Sequence, residues 1–485
     1  MKPGITLINC FSGNPVPPDA PPYGLLYVGS ALKRAGYPVR IVDRHLDQGQ
    51  SVDALCRSLL NGDEEQLFGL GGVASAYKDA LEIAVRLKEL KPRCRIVAGG
   101  YIGSTAHLLL LKAPIDAVVR GEGEITTLEL LDALLEGRPL AGVHGLIHVR
   151  DGTVVSTPAR PQIADLDEIP FPDYSLVDLP RYLIPAAKAP YFRFDPRARR
   201  YSGVVVDLKT ARGCTHACSF CYRHMRGMRH HSPRYVLNHM KHLQEFCGAD
   251  LFNISDELTI SSKEWVDEFC ELKKQGGPDV LFRITSARVD IITEDMLAKL
   301  KDAGMVGVNF GIESGSQRIL DAMRKHTTVE QNLNALRLCR KLGIQTTIPL
   351  VVGLPEETFH SIFETIRFLI ACPHNPTNQD NEYDDANDIR VFSPVAFPGT
   401  TIYKQGLKRG VIGNEHEYLL SLNHNLVMRS YNFTDYPDFV RKIWIKALNM
   451  TYKGLYFWDE GDYIGLLRFL CKTPFTLLRI MKGGL

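Results

Sequence analysis

No stretch of this chain is long and apolar enough to cross a bilayer as a helix. Its start, Met1-Lys2-Pro3-Gly4, leads into a short strand-like run and lacks the apolar core of a secretory leader. Net charge is almost absent: 57 Lys and Arg stand against 55 Asp and Glu, so no nucleic-acid or membrane partner is expected from overall charge. The 11 cysteines have no regular paired spacing, which excludes a secreted disulfide scaffold. These absences predict a cytoplasmic globular protein, and a 45% hydrophobic fraction over 485 residues is enough for two or three domains.

A local absence is more telling. Residues 208–244 contain no acid, while Lys209, Arg212, Arg223, Arg226, Arg229, Arg234 and Lys241 all fall there. Such a positive lobe suits an anionic cluster, carboxylate or substrate, although solvated helix and loop charges account for most of these residues individually. Within it lie Cys214, Cys218 and Cys221, spaced Cys-x3-Cys-x2-Cys with no fourth cysteine nearby. A cubane of four irons and four sulfides held by three thiolates keeps one iron open to a substrate. Zinc, with His216 or His224 as fourth ligand, is the competing reading, but zinc folds usually split their ligands into two separated pairs. The other cysteines, Cys10, Cys56, Cys94, Cys247, Cys270, Cys339, Cys372 and Cys471, are scattered, so a single cluster is predicted.

The triad, with Phe220 just before its last cysteine, resembles the radical S-adenosylmethionine (SAM) superfamily. That resemblance implies a [4Fe-4S] cluster whose open iron chelates the amino and carboxylate groups of SAM, with the Phe220 backbone against the adenine.

Upstream, short apolar runs alternate with amphipathic stretches: 5–9, 39–43, 67–73, 95–98 and, as a last strand, 117–120. This predicts a doubly wound parallel sheet with a ligand at the carboxyl ends of its strands. Pro21-Pro22-Tyr23-Gly24-Leu25, Ala35-Gly36-Tyr37, Gly99-Gly100 and Gly121-Glu122-Gly123-Glu124 resemble, in that order, the cobalamin-binding domain that precedes many radical SAM domains. Tyr23, Gly24, Ser75, Gly99, Gly100, Gly121 and Glu122 are the cobalamin contacts so implied; a generic Rossmann-like nucleotide domain is the alternative. Asp43-Arg44-His45 looks like the start of a cobalt-ligating Asp-x-His-x-x-Gly motif, but it follows the second strand and Gln48 stands at the glycine position. Cobalamin without a histidine lower ligand is therefore expected, with His45 a surface or loop residue.

Residues 1–150 are thus read as the cobalamin-binding domain and 151–200 as a Pro-rich linker, in which Ile169-Pro170-Phe171-Pro172-Asp173-Tyr174 resembles the family's connector. Residues 201–410 form the radical SAM domain and 411–485 a C-terminal, partly helical region. Strands at 203–208, 251–255, 281–286, 307–311, 344–352 and 389–393 predict a partial (β/α)6 barrel with its site at the carboxyl ends. There the resemblance implies that Asp256 and Glu257 accept from the SAM amino group and that Glu313, with Ser314 beside it, binds the ribose; Ser286 and Arg288 end the third strand as further SAM contacts, where Arg288 could neutralise a carboxylate. Gly353 opens Gly353-Leu354-Pro355-Glu356-Glu357-Thr358, which resembles a Gly-x-Pro-Gly-Glu-Thr turn with Glu356 in place of the second glycine. Helix caps and surface charges are the plain alternative for each carboxylate.

The resemblance implies reductive cleavage of SAM to a 5′-deoxyadenosyl radical and hydrogen abstraction from an unactivated carbon. Cobalamin, held across the domain interface, would carry a methyl group to the substrate radical. Radical cyclisation, ring contraction or rearrangement keeps the same cofactors; a cobalamin sensor with a structural metal site is the reading from another class. A small-molecule substrate and a reductase or flavodoxin-type electron donor are the implied partners, with no nucleic acid. The apolar and basic tail at 465–482 suits an interfacial helix, but a helix docked on the barrel is favoured over membrane association.

Overall fold

In the computed structural model the described residues are 2–16, 18–60, 66–185, 189, 192, 195–201, 203–223, 225–260, 262–373, 389–422 and 431–459. The tail at 465–482 lies outside them. The chain divides into two units, Met1–Leu183 with Phe397–Arg429, and Ile184–Ala396 with Ser430–Leu485.

The first unit is built on β1 (Ile5–Asn9), β2 (Val39–Asp43), β3 (Leu67–Gly71), β4 (Arg95–Ala98), β5 (Ala117–Val119), β6 (Leu146–Arg150) and β7 (Thr153–Ser156). They run in the order β2-β1-β3-β4-β5-β6-β7, parallel from β2 to β5. Every residue of β3 is buried, as a central strand covered on both faces requires. Helices α1 (Tyr23–Arg34), α2 (Val52–Leu59), α3 (Tyr77–Leu90) and α4 (Ala106–Lys112) make the crossovers, and α5 (Gly123–Glu136) joins β5 to the antiparallel β6. The order reverses between β1 and β3, so the crevice outside their carboxyl ends is the expected ligand position.

Ala117–Val119 is not the last strand. An antiparallel hairpin, β6 and β7, extends the sheet past the predicted boundary at 150. Its turn is Asp151-Gly152, both with positive φ (50° and 73°), the conformation a two-residue hairpin needs.

The second unit contains β8 (Ile184–Pro185), β9 (Val204–Leu208), β10 (Ala211–Cys214), β11 (Gly227–His230), β12 (Leu251–Ile254), β13 (Leu281–Ala287), β14 (Met305–Phe310), β15 (Ile348–Val351) and β16 (Ile389–Phe392). One sheet has the order β14-β13-β12-β9-β8; β15 and β16 pair in parallel, and the bridges Gly307↔Gln345 and Glu313↔Leu350 link them to the end of β14. The six predicted barrel strands are present as β9, β12, β13, β14, β15 and β16, in an open array with no closure among the described residues. The intervening helices are α6 (Pro233–Cys247), α7 (Lys263–Lys274), α8 (Glu294–Asp302), α9 (Gln317–Ala322), α10 (Val329–Leu342) and α11 (Phe359–Ala371). Five of these six helices start on a hydroxyl cap: Ser232, Ser262, Thr293, Thr328 and Thr358 each accept from a first-turn N–H, whereas Ser316 before α9 makes no such bond. These caps stop the loops at defined points and hold the strand ends open for function.

The C-terminal reading needs one correction. Helices α12 (Thr401–Lys408) and α13 (Glu415–Ser421) pack with the first unit, not with the barrel that precedes them. Tyr77 OH and His416 Nδ1 are 2.9 Å apart, and His107 Nε2 lies 3.8 Å from Glu415 Oε2. Helix α14 (Asp438–Asp459) returns to the second unit.

Candidate active site and cofactor cradle

β9 delivers the chain to a sharp turn at Lys209-Thr210, from which the hairpin β10–β11 carries Cys214. Asp256, just past β12, holds that turn. Its Oδ1 accepts from the N–H groups of Thr210 and Ala211 at 2.8 and 3.1 Å, and its Oδ2 from the hydroxyls of Thr210 and Thr259 at 2.5 and 3.2 Å. Burial pushes this carboxyl up from the ordinary range, while Lys209 and the Thr210 donors pull it back. Asp256, expected to receive the SAM amino group, thus has both oxygens engaged by Thr210, Ala211 and Thr259.

Gly213 has φ +82°, and a Cβ there would lie 2.3 Å from the Gly227 carbonyl oxygen, so only glycine lets the two strands close. Past Cys214 the loop is pinned by the Cys221 N–H on the Cys218 carbonyl (3.2 Å) and the Ser219 N–H on the Met323 carbonyl (2.8 Å). Burial pushes the Cys221 thiol up to about 11, and the neighbouring Cys218 and Cys214 sulfurs add to that shift by charge repulsion. Iron offsets that repulsion, and the donor set fits a cluster. Among the described residues no three or more His, Cys, Asp or Glu side chains converge to hold one metal ion; a cubane distributes its thiolates over three irons.

Against this loop sits a residue the sequence reading missed. Lys325 Nζ is 3.1 Å from Glu313 Oε1, with the side chains 10% and 13% exposed. The Lys325 ammonium also lowers the Cys218 thiol against the rise imposed by burial. Glu313 (φ 63°), Arg324 (φ 55°) and His326 (φ 55°) are left-handed without being glycine, each costing about 1–3 kcal/mol. A Cβ on Gly311 would meet Lys325 Nζ at 2.4 Å and Glu313 Oε1 at 2.7 Å, so this glycine makes room for the pair.

Other expected SAM contacts are engaged within the protein. Arg288 bonds both oxygens of Asp290 at 2.9 and 2.8 Å and reaches the Lys325 carbonyl at 3.0 Å. It stabilises the 323–326 segment and is not presented as a free carboxylate receptor. Ser286 donates to the Glu257 carbonyl at 2.8 Å. Ser314 is buried, its hydroxyl 3.4 Å from that of Thr365 on α11 and accepting from the Ser316 N–H, so it faces the helix. Glu257 lies close enough to Cys221 to raise its thiol, and Phe220 is half-buried within the loop. Gly353 (φ +123°) donates its N–H to Glu357 Oε2 at 2.7 Å, and burial pushes Glu357 up to about 7. The missed signals are long-range: nothing local marks Lys325 or the Asp290 partner of Arg288.

In the first unit, glycines end the central strands: Gly72 (φ +147°) after β3, Gly100 (φ +73°) after β4 and Gly121 (φ +84°) after β5. The Ile102 N–H donates to the Gly72 carbonyl at 2.9 Å, joining the β3 and β4 loops into one floor. Val73 is 43% exposed on it, and the buried hydroxyls of Ser75 and Ser104 have no hydrogen-bond partner among the described residues. An apolar ledge with two unsatisfied hydroxyls fits a large flat cofactor with polar side arms. Tyr23 and Gly24 begin α1 on the same edge of the sheet, after β1, while Glu122 Oε2 accepts from the Ile163 N–H at 2.7 Å. His45 is a loop residue, its Nε2 3.2 Å from the Cys10 carbonyl.

The residues that form these two sites fall inside matches to two family models: the radical SAM superfamily over residues 208–369 and the B12 binding domain over 12–131. An uncharacterized methyltransferase of Pyrococcus horikoshii is 32% identical over 386 residues, covering 76% of this chain and 79% of the relative. The anaerobic magnesium-protoporphyrin IX monomethyl ester cyclase of Rubrivivax gelatinosus is 33% identical, covering 72% of this chain but 61% of its own length. In fold, the chain is similar to the cobalamin-dependent SAM radical enzyme OxsB, with a TM-score of 0.62 at 21% identity over 90% of this chain and 58% of that one. With a cysteine triad on one strand end and a glycine-floored cradle on another, the chain belongs to the cobalamin-dependent radical SAM enzymes, whose cofactors are an iron–sulfur cluster, SAM and cobalamin.

Proposed function

We propose that this enzyme is a methyltransferase acting on an unactivated carbon of a small molecule. The bound groups supply an electron for SAM cleavage, a radical that removes one hydrogen atom, and a cobalt carrier that passes a methyl group to the carbon so exposed. Two SAM molecules and two electrons from an external donor balance each turnover: one SAM ends as 5′-deoxyadenosine and methionine, the other as S-adenosylhomocysteine. The chain's own part is positional. Asp256 and Gly213 shape the cysteine loop, and the Lys325–Glu313 pair presents one charge of each sign beside it. Gly72, Gly100, Ser75 and Ser104 form the floor assigned to cobalamin.

One observation carries the reading: a chain with both cofactor sites is 32% identical to a methyltransferase across most of both lengths. A second reading is radical ring closure, favoured by the 33% identity to the cyclase. Anaerobic incubation of the reconstituted enzyme with methyl-labelled SAM and cell extracts separates them. Methylation yields both 5′-deoxyadenosine and S-adenosylhomocysteine, with label in product. Deoxyadenosine alone overturns it in favour of ring closure or rearrangement.

A further inference from the structure

The Lys325–Glu313 pair is a costly arrangement for stability alone. Burying an ion pair generally gains little over packing apolar side chains in its place. Here the segment around it also keeps Arg324 and His326 left-handed, next to a left-handed Glu313. Independent contacts then hold it: Arg288 on the carbonyls of Lys325 and His326, Ser219 of the cysteine loop on the carbonyl of Met323, and the missing side chain of Gly311. Strain maintained by so many supports marks a functional position. The group it fixes is a buried ammonium two residues from Met323, whose carbonyl takes the N–H of Ser219, the neighbour of Cys218, at 2.8 Å.

We propose that Lys325 is a positioning residue for electron entry: its ammonium, fixed by Glu313 in the segment that Ser219 ties to the cysteine loop, balances the negative charge gained on one-electron reduction and so sets the cluster potential. The step is a single electron transfer from a low-potential ferredoxin- or flavodoxin-class donor, in which the donor is oxidised, the cluster reduced, and no bond or proton moves. A cation held in a low-dielectric site favours the reduced form more than one in water does. The inference rests on Cys214, Cys218 and Cys221 as cluster ligands, and not on where the methyl group goes.

The test is an EPR-monitored redox titration, without SAM, of the full chain reconstituted anaerobically, with iron and sulfide content measured alongside. At the potential where the wild-type cluster is half reduced, Lys325→Met is expected to lower the reduced-to-oxidised ratio at least tenfold, a shift of about 59 mV for one electron. Lys325→Arg, which keeps the charge, stays within threefold of wild type. Should Lys325→Met fail to hold a cluster, Gly311→Ala is read instead, since its Cβ displaces the ammonium without removing it; a fall of at least threefold is expected. An unchanged potential at full iron content overturns the proposal, as does an equal shift in Lys325→Arg. Loss of the cluster in both Lys325→Met and Gly311→Ala also overturns it, assigning the pair to folding. If wild type transfers no labelled methyl group yet these shifts persist, the methyltransferase reading fails and this one stands.

Discussion

Thr210 donates to both oxygens of Asp256, its N–H to Oδ1 at 2.8 Å and its hydroxyl to Oδ2 at 2.5 Å. A carboxylate at a strand end thus serves as the anchor of the hairpin that carries Cys214. Asp256→Ala removes the acceptor of two buried N–H groups, those of Thr210 and Ala211, at a cost of about 1–3 kcal/mol. Lower iron and sulfide content after reconstitution is expected, with a lower denaturation midpoint, although Asp256 is not a ligand. Wild-type metal content and stability would remove the anchor role.

Glu357 gives the fold a pH dependence of known sign. Burial raises its folded-state pKa from 4.5 to about 7. Below pH 4.5 both states are protonated; between 4.5 and 7 the unfolded chain ionises first, so stability falls as pH rises, by roughly 3 kcal/mol at most. Glu357→Gln keeps an acceptor for the Gly353 N–H. The variant should match wild type near pH 4.5 and exceed it at pH 8, in denaturant titrations at both values. A constant difference between the two proteins across that window would contradict the buried-acid account.

Ser75 tests the cobalamin cradle. Its buried hydroxyl has no partner among the described residues, so Ser75→Ala should leave the cofactor-free protein as stable or about 1 kcal/mol more so. If the hydroxyl meets cobalamin, the same change weakens binding about tenfold, equivalent to about 1.4 kcal/mol. Absorbance titration with hydroxocobalamin reads the affinity, and equal affinity would place Ser75 outside the contact surface.

Cys218→Ala leaves two thiolates for a cluster that needs three. Both cluster absorbance and release of 5′-deoxyadenosine should vanish, and retained SAM cleavage would refute the triad.

What was legible in the sequence is what depends on neighbours along the chain. The spacing of Cys214, Cys218 and Cys221 is a property of one loop, and the six parallel strands of the second unit announced themselves as short apolar runs ending in polar or glycine residues. The hairpin at 146–156 is equally local, marked by Asp151-Gly152 between two short runs with β-branched residues, but the proline-rich stretch that follows masks it. The pairings of Asp256 with Thr210, Arg288 with Asp290, and Ser314 with Thr365 were beyond reach because several side chains competed for each partner. Helices α12 and α13 carry ordinary amphipathic patterns that say a face is buried without saying against what.

The sequence by itself determined which family and cofactors the protein has, since three thiolates on one short loop and a glycine at each of several strand ends are properties of residues close in sequence. Only the tertiary structure decided which charged groups face that chemistry. It turned Asp256 and Arg288 inward as supports and brought Lys325 against Glu313, in a segment tied to the cysteine loop through Ser219 and Met323. The reason is physical: local order follows from backbone geometry and periodicity, whereas a buried charge is placed by whichever long-range partner offsets its loss of water.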